Sequence, residues 1–345
     1  MNKPVCTAVL FFLLFPCIYG DTDISQDSFS NFTADDILAR VDFLCNDGSA
    51  SSIEELWSLF LLYPDSNIQS EILIALGVIG RGNQYVIGNI LNYLFHANDM
   101  FLSGAGVDYS VVSACIAAIM ELGSDSSYPV LFSVLRSGYP EVIISEAYGA
   151  LDIINRNLNN GSLMQFLSGI IERNPPEEKF IAFKSGMYSL NVSERGRLAE
   201  FALGLSLAAV EENADLNAMR YASVIALTSL GWTRADFLAL RHYRRVLTDF
   251  YQNVVPKSRL VEAVNLLGVA GNSDAALTLA LQLGLINARM EKTGSFDADI
   301  TLAIVQALGF IGDNGAFANL FFASNLPYGE NIRSAAMEAI NRLKW

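Results

Sequence analysis

Charged residues are scarce in this chain of 345 residues, because Asp, Glu, Lys and Arg together account for only 17% of it. Hydrophobic residues account for 52%, so a large core can be buried and an intrinsically disordered chain is excluded. With so few charges, the surface is either largely uncharged or keeps apolar area for a partner.

Histidine is even rarer, with only two copies in the chain. His96 is predicted near a helix end, in a capping or solvent-facing role, and His242 has no second metal ligand at helical spacing. The sequence also lacks the HExxH, CxxC, GxSxG and Walker motifs. Adjacent carboxylates such as Glu54 and Glu55 point about 100° apart on a helix, so they do not form an acid and base pair. We predict no catalytic residue, no cofactor and no metal site.

Cysteine is too sparse for a disulfide framework. Two of the four cysteines lie within the first 20 residues, which leaves Cys45 and Cys115. A disulfide between these two is one possibility in an oxidising compartment. The favoured interpretation is that Cys115 is a small buried hydrophobic residue, because it lies in an apolar helical pattern.

Apolar runs of about 18 residues, the length of a membrane span, are absent after residue 20. Residues 1–20 themselves combine Lys3, a short apolar run and Gly20, which is typical of a secretory signal peptide. The alternatives are an uncleaved anchor or a lipid attached to Cys17, although Pro16 disfavours the lipid. We therefore predict export, most simply to the bacterial periplasm, with secretion or lipid anchoring as alternatives and no membrane span after signal removal.

Basic residues are in the minority. Without Lys3 the chain has 21 basic and 36 acidic residues, a net charge of −15, which excludes general nucleic-acid binding. One stretch differs, because Arg241, Arg244 and Arg245 share a predicted helical face beside Tyr243. This patch either binds an acidic partner or an anionic glycan, or pairs with acidic neighbouring repeats. The pairing is favoured.

The remaining sequence is dominated by helical periodicity. Residues 21–32 form a polar lead-in, and Thr33 with Asp36 predicts a capping box at the start of the first helix. Downstream, residues 68–80 and 300–312 both end in Ala-Leu-Gly-x-Ile-Gly. Strand signals are few, so the predicted fold class is all-α.

A weaker form of this segment recurs along the chain. The repeated position, which is alanine in all copies but one, lies at intervals of 32 to 43 residues, apart from one interval of 76. That interval predicts a degenerate unit near residues 185–190. We expect the last glycine of a copy to end its helix in a left-handed conformation, namely Gly80, Gly123, Gly231, Gly271 and Gly312. The repeated positions are Ala75, Ala118, Ala150, Ala226, Leu266, Ala307 and Ala339.

This pattern resembles the HEAT repeat family, including its short phycobilisome-lyase type. Residues 332–340, with Arg333 and Ala339, fit well, and residues 219–227 fit nearly as well, whereas most copies lack the arginine. The resemblance implies a curved α-solenoid of about seven to eight helical hairpins whose concave face holds partners. The predicted single solenoid spans residues 33–345 and is degenerate at about 156–215.

The expected function is that of an exported, non-enzymatic scaffold that binds protein partners. The alternative is a carbohydrate-active enzyme built as an α/α toroid, either a glycoside hydrolase or a lyase. In a toroid the first and last helix pairs would meet, whereas a solenoid keeps them apart. A structural component of an envelope assembly is a third possibility.

Overall fold

The computed structural model describes residues 33–158, 161–171, 174–209 and 213–344. The predicted signal peptide at 1–20, the lead-in at 21–32 and the lipid attachment at Cys17 lie outside these ranges. Within them the chain forms 17 α-helices and no strand, with a single isolated bridge between Asp313 and Lys344. The all-α prediction is therefore confirmed.

The helices follow one another with short connections. Their bounds are α1 Ala34–Asp47, α2 Ala50–Leu62, α3 Ser66–Ile79, α4 Gln84–Leu102, α5 Tyr109–Leu122, α6 Tyr128–Arg136, α7 Glu141–Asn157, α8 Gly161–Ile171, α9 Pro176–Ser189, α10 Val192–Ala208, α11 Ala214–Ser229, α12 Asp236–Tyr251, α13 Lys257–Ala270, α14 Ser273–Thr293, α15 Ala298–Ile311, α16 Phe317–Asn325 and α17 Glu330–Asn341.

Helix starts are well capped, which explains where the elements begin. The side chain of Thr33 and that of Asp36 form the predicted capping box on α1. Asp65, Asp108 and Asp297 accept hydrogen bonds from the first backbone N–H groups of α3, α5 and α15. A carboxylate at this position satisfies donors that have no partner inside the helix.

The odd-numbered helices contact one another in series. One run comprises α1, α3, α5 and α7, and a second comprises α9, α11, α13, α15 and α17. Between the two runs the packing passes through α8, which contacts both α7 and α9, while α10 packs against α6, α8, α9 and α11. The helix pattern is thus least regular within 156–215, where the sequence repeat is also weakest.

A contact between glycine and alanine recurs between successive odd-numbered helices. A Cβ atom placed on Gly77 would lie 2.7 Å from the Cα of Ala118, and one on Gly309 would lie 2.9 Å from the Cα of Ala339. Gly268 approaches Ala307 in the same way, at 3.0 Å. In these three glycine–alanine contacts, the glycine two residues after the repeated position touches the repeated alanine of the next copy.

This arrangement corrects the predicted role of the glycines. Gly77 lies inside α3 and provides space for a neighbouring backbone, rather than ending the helix. The glycines that follow the helices divide into two groups. Gly123, Gly231 and Gly312 have the expected positive φ, whereas Gly80 and Gly271 have φ of −87° and −73°. At these two positions an added Cβ would collide with a carbonyl oxygen of the preceding turn. Glycine is therefore required there because a side chain does not fit, and not because of a positive φ.

Candidate binding face

One surface of the odd-numbered helices stays exposed while the opposite surface forms the core. It comprises the residues one position before and three positions after each repeated alanine, and we refer to these positions as the open face. Several apolar side chains here are exposed, with Phe310 at 68% and Val78 at 52%. The exposed apolar members are Ile74, Val78, Ile225 and Phe310.

The glycine–alanine contacts position this face. Gly77 and Gly309 let the next helix approach to backbone contact, so no large side chain fits between the helices at that point. The large side chains nearby, which are Ile74 and Val78 beside Gly77 and Phe310 beside Gly309, point outward instead. On α5 and α7 the positions just before the repeated alanines are the small, half-buried Ala117 and Gly149, and the positions three residues after them are the exposed Glu121 and the half-buried Ile153. The open face therefore has no exposed apolar side chain on these two helices.

A pocket of about 280 Å³ lies on the open face between α5 and α7. Glu121 and Ile153, both in the open-face register, contribute to its lining together with Met120 and Arg81. The Arg81 guanidinium donates to a Glu121 carboxylate oxygen at 2.5 Å and to the Glu121 backbone oxygen at 3.0 Å. This ion pair provides the polar rim that interaction surfaces commonly have beside an apolar centre.

The predicted basic patch is only partly brought together. Arg241 and Arg244 are exposed on α12, and Arg245 is half-buried. Arg241 donates to the backbone oxygen of Leu207 at 3.3 Å. The assignment of Tyr243 to this surface is wrong, because its side chain is fully buried. One position along a helix rotates a side chain by about 100°, which turns Tyr243 into the core.

The two histidines have very different environments. His96 is exposed, in agreement with the predicted solvent-facing role, but it lies inside α4 rather than near a helix end. His242 is fully buried, and neither of its ring nitrogens has a hydrogen-bond partner in the described part of the chain. Burial and the charges of Arg220, Arg245 and Arg259 lower the pKa of His242 to about 3.

The two remaining cysteines are both free thiols. Cys45 is half-buried on α1, and Cys115 is completely buried on α5, where its sulfur lies 3.6 Å from the backbone oxygen of Ile90. The possible disulfide between them is therefore not formed in this structure. The burial of Cys115 agrees with its interpretation as a small core residue, and it raises the pKa of the thiol.

Sequence reasoning missed a group of charged residues buried on α10. Glu194, Arg197 and Glu200 recur every three residues and are each no more than 4% exposed. We refer to these three side chains, with Arg136 and Trp232, as the buried polar centre. Their spacing of three in an otherwise apolar helix is a signal, but on its own it indicates a solvated stripe.

The buried polar centre ties distant parts of the chain together. The indole Nε1–H of Trp232 donates to a Glu200 carboxylate oxygen at 2.8 Å. Burial raises the pKa of Glu200 to about 7, while the hydrogen bond from Trp232 and the charges of Arg136 and Arg234 act in the opposite direction. A carboxyl group in such a place is largely neutral in acid and becomes a buried charge as the pH rises.

Arg197 on the same helix is held from three sides. Its guanidinium lies 4.1 Å from the centre of the Tyr128 ring and donates to the Tyr128 hydroxyl at 3.2 Å. It also faces the Asp125 carboxylate at 3.5 Å, which pairs with Arg234 at 2.7 Å. The Tyr128 hydroxyl in turn donates to the Asn155 side chain. These groups hold α10 in place through hydrogen bonds and ion pairs. A second pocket lies beside Arg234, and Glu200 is not among the residues that line it.

No cluster of metal-ligating side chains occurs among the residues that the structure describes. In the same residues no helix is both long enough and apolar enough to cross a membrane.

Comparison with known proteins leaves the chain without an assigned family. No protein-family model matches the sequence, and no curated protein matches it.

Proposed function

We propose that this chain is an exported, non-enzymatic scaffold of HEAT-like repeats that binds a protein partner along the open face. The observation that carries the proposal is the exposure of large apolar side chains in one repeated register, at Ile74, Val78, Ile225 and Phe310. Exposed apolar surface in a regular array is typical of interaction sites. The bacterial periplasm is the proposed location.

Helix contacts favour an open series over a closed ring. The main contacts of α1 are with α2 and α3, and those of α17 are with α15 and α16. An α/α toroid would instead bring the first and last helix pairs together. The alternative enzyme is therefore less well supported than the scaffold.

The face is suited to a partner with a continuous apolar stripe and some basic character. The basic character follows from the strongly acidic net charge of the whole chain, since Glu121 and Glu338 in the open-face register are paired with Arg81 and Arg342. Complementary charge speeds association and excludes wrong partners, while the apolar contacts provide most of the affinity.

Site-specific photo-cross-linking in the native host tests the proposal. A photoreactive amino acid replaces Val78, Ile225 or Phe310 in turn, and Leu281 serves as control, since it is 62% exposed on α14 but lies outside the open face. We expect one discrete cross-linked protein shared by the three face positions and absent at Leu281. The absence of any discrete product, or the same product from Leu281, would overturn the proposal.

A further inference from the structure

Arg220 and His242 form a second unusual cluster, where α11, α12 and α13 meet. Arg220 is 2% exposed, yet its Nε and Nη1 atoms have no hydrogen-bond partner within the described ranges. Both ring nitrogens of His242 are unpartnered in the same way. Buried polar atoms are paired in the great majority of cases, so four such atoms on neighbouring helices require a physical explanation.

The charge of Arg220 makes the situation more costly. A guanidinium stays protonated in proteins, so Arg220 cannot relieve its burial by losing a proton. The carboxylate of Glu262 is engaged by Arg259 at 2.7 Å, and that of Asp249 has only a minor influence on Arg220. A buried charge without a close counter-charge is strongly destabilising.

Tyr221 organises the cluster. Its ring centre lies 4.9 Å from the guanidinium carbon of Arg220 and 4.1 Å from that of Arg259. The Nη2 atom of Arg220 donates to the Tyr221 hydroxyl at 3.2 Å, which fixes the guanidinium and leaves Nε and Nη1 available. The centre of the His242 ring lies 5.9 Å from that of the Tyr221 ring, and His242 is close enough to Arg220 and Arg259 for their charges to lower its pKa.

We propose that this cluster is a binding site for a small oxyanion, such as sulfate, phosphate or a simple carboxylate. Arg220 provides the permanent charge, His242 provides one neutral N–H donor, and Arg259 provides the entrance. The side chain of Arg259 is 33% exposed and its guanidinium lies over the Tyr221 ring, and we therefore place the entrance there. A bound water would satisfy hydrogen bonds, but it would leave the buried charge of Arg220 uncompensated.

The surrounding field supports an anion. The charges of Arg220, Arg245 and Arg259 all disfavour a proton on His242, so the site has a positive potential in the absence of ligand. A positive site in an acidic chain concentrates small anions even when the whole molecule repels larger polyanions. This inference does not depend on the proposed scaffold function, because it concerns the buried Arg220 and His242 side chains and a different ligand, although α11 also carries Ile225 of the open face.

Thermal unfolding with added anions provides the first test. Wild type and Arg220→Met are heated in increasing sodium sulfate, phosphate or acetate, with sodium chloride at matched ionic strength as reference. The control variant is Arg333→Met, which removes an exposed arginine that pairs with Glu330 on α17. We expect a saturating rise in Tm for wild type and Arg333→Met, and an apparent affinity at least about tenfold weaker for Arg220→Met.

The choice of anion separates the possible sources. Saturation by sulfate or phosphate identifies a tetrahedral anion, and saturation by acetate alone identifies a carboxylate. No saturating rise with any of the three, or an unchanged rise in Arg220→Met, would overturn the proposal.

Histidine NMR gives a second readout that does not depend on a buried variant. The chain has only two histidines, and only His242 lies at the proposed site. The saturating anion should shift the ring nitrogen signals of His242 and leave those of the exposed His96 unchanged. Equal shifts at both rings would indicate a general salt effect and contradict the site.

Discussion

The runs of odd-numbered helices and the buried polar centre hold helices together in opposite ways. In the runs, backbone approaches backbone through Gly77, Gly268 and Gly309, each against an alanine of the next odd-numbered helix. Around α10, helices meet through Glu200, Trp232 and Arg197, whose charges and hydrogen bonds are enclosed. The runs should therefore be sensitive to side-chain volume, and the centre to pH.

The largest effect is expected from Gly77→Val. A Cβ at Gly77 would lie 2.7 Å from the Cα of Ala118, so α3 and α5 must separate and their shared core must loosen. We expect a loss of at least about 3 kcal/mol in the free energy of unfolding. Urea denaturation measures this loss. A change below about 1 kcal/mol would mean that the two helices are not in backbone contact.

The next effect concerns Glu200. Its pKa is raised to about 7 in the folded chain, so the folded state retains a proton that the unfolded state loses above about pH 4.5. Stability from this group is fully present below pH 4.5 and falls as the pH rises towards 7, by roughly 3 kcal/mol in total. Glu200→Gln should abolish this fall, because the amide is neutral and still accepts a hydrogen bond from Trp232.

Paired denaturation series from pH 4.5 to 7 provide the measurement. The control is Glu338→Gln, since Glu338 is an exposed carboxylate on α17. The difference in unfolding free energy between wild type and Glu200→Gln should change across the series, while the difference for Glu338→Gln should stay flat. A flat difference for Glu200→Gln would show that its carboxyl group is not enclosed.

His242 should give a smaller effect of opposite sign. Its pKa is lowered to about 3, so the unfolded state takes up a proton below pH 6.5 that the folded state refuses. The contribution of this group to stability is complete above pH 6.5 and declines as the pH falls, by roughly 2 kcal/mol by pH 5. His242→Leu should remove this acid sensitivity, and His96→Gln should not. Equal acid sensitivity in wild type and His242→Leu would contradict the burial of this ring.

The smallest effect is a gain in stability. Apart from the neighbouring backbone of its own helix, no described atom lies within 4 Å of a Cβ placed on Gly149, which is inside α7. Gly149→Ala should stabilise the chain by about 0.5 to 1 kcal/mol, since alanine loses less conformational freedom in a helix. Measured beside Gly77→Val, it distinguishes a glycine required for space from one that is not. A loss of stability would place Gly149 at an unrecognised contact.

Much of the fold could be predicted because helix signals are local. The capping box at Thr33 and the repeated alanines depend on residues within one or two turns, and both agree with the structure. The role of Gly77 could not be predicted in this way. A glycine near a helix end usually signals a left-handed cap, and only the position of Ala118, 41 residues further on, shows that space is needed.

The candidate sites were harder to predict for the same reason. Helical spacing placed Arg241 and Arg244 on a surface, but it did not reveal that Tyr243 turns into the core. The polar stripe of Glu194, Arg197 and Glu200 matches the pattern of a solvent-exposed face. Its burial follows from α6 and from the turn that carries Trp232, which are distant in sequence.

A double-mutant cycle at Gly309 and Ala339 tests the central claim most directly, namely that successive odd-numbered helices touch through glycine–alanine contacts. Gly309→Ala should destabilise the chain, and Ala339→Gly in the same molecule should recover part of the loss, because the two Cβ atoms would otherwise lie 2.9 Å apart. We expect a favourable coupling of about 1 kcal/mol, against none between Gly309→Ala and Ala118→Gly. Strict additivity at 309 and 339 would contradict the account.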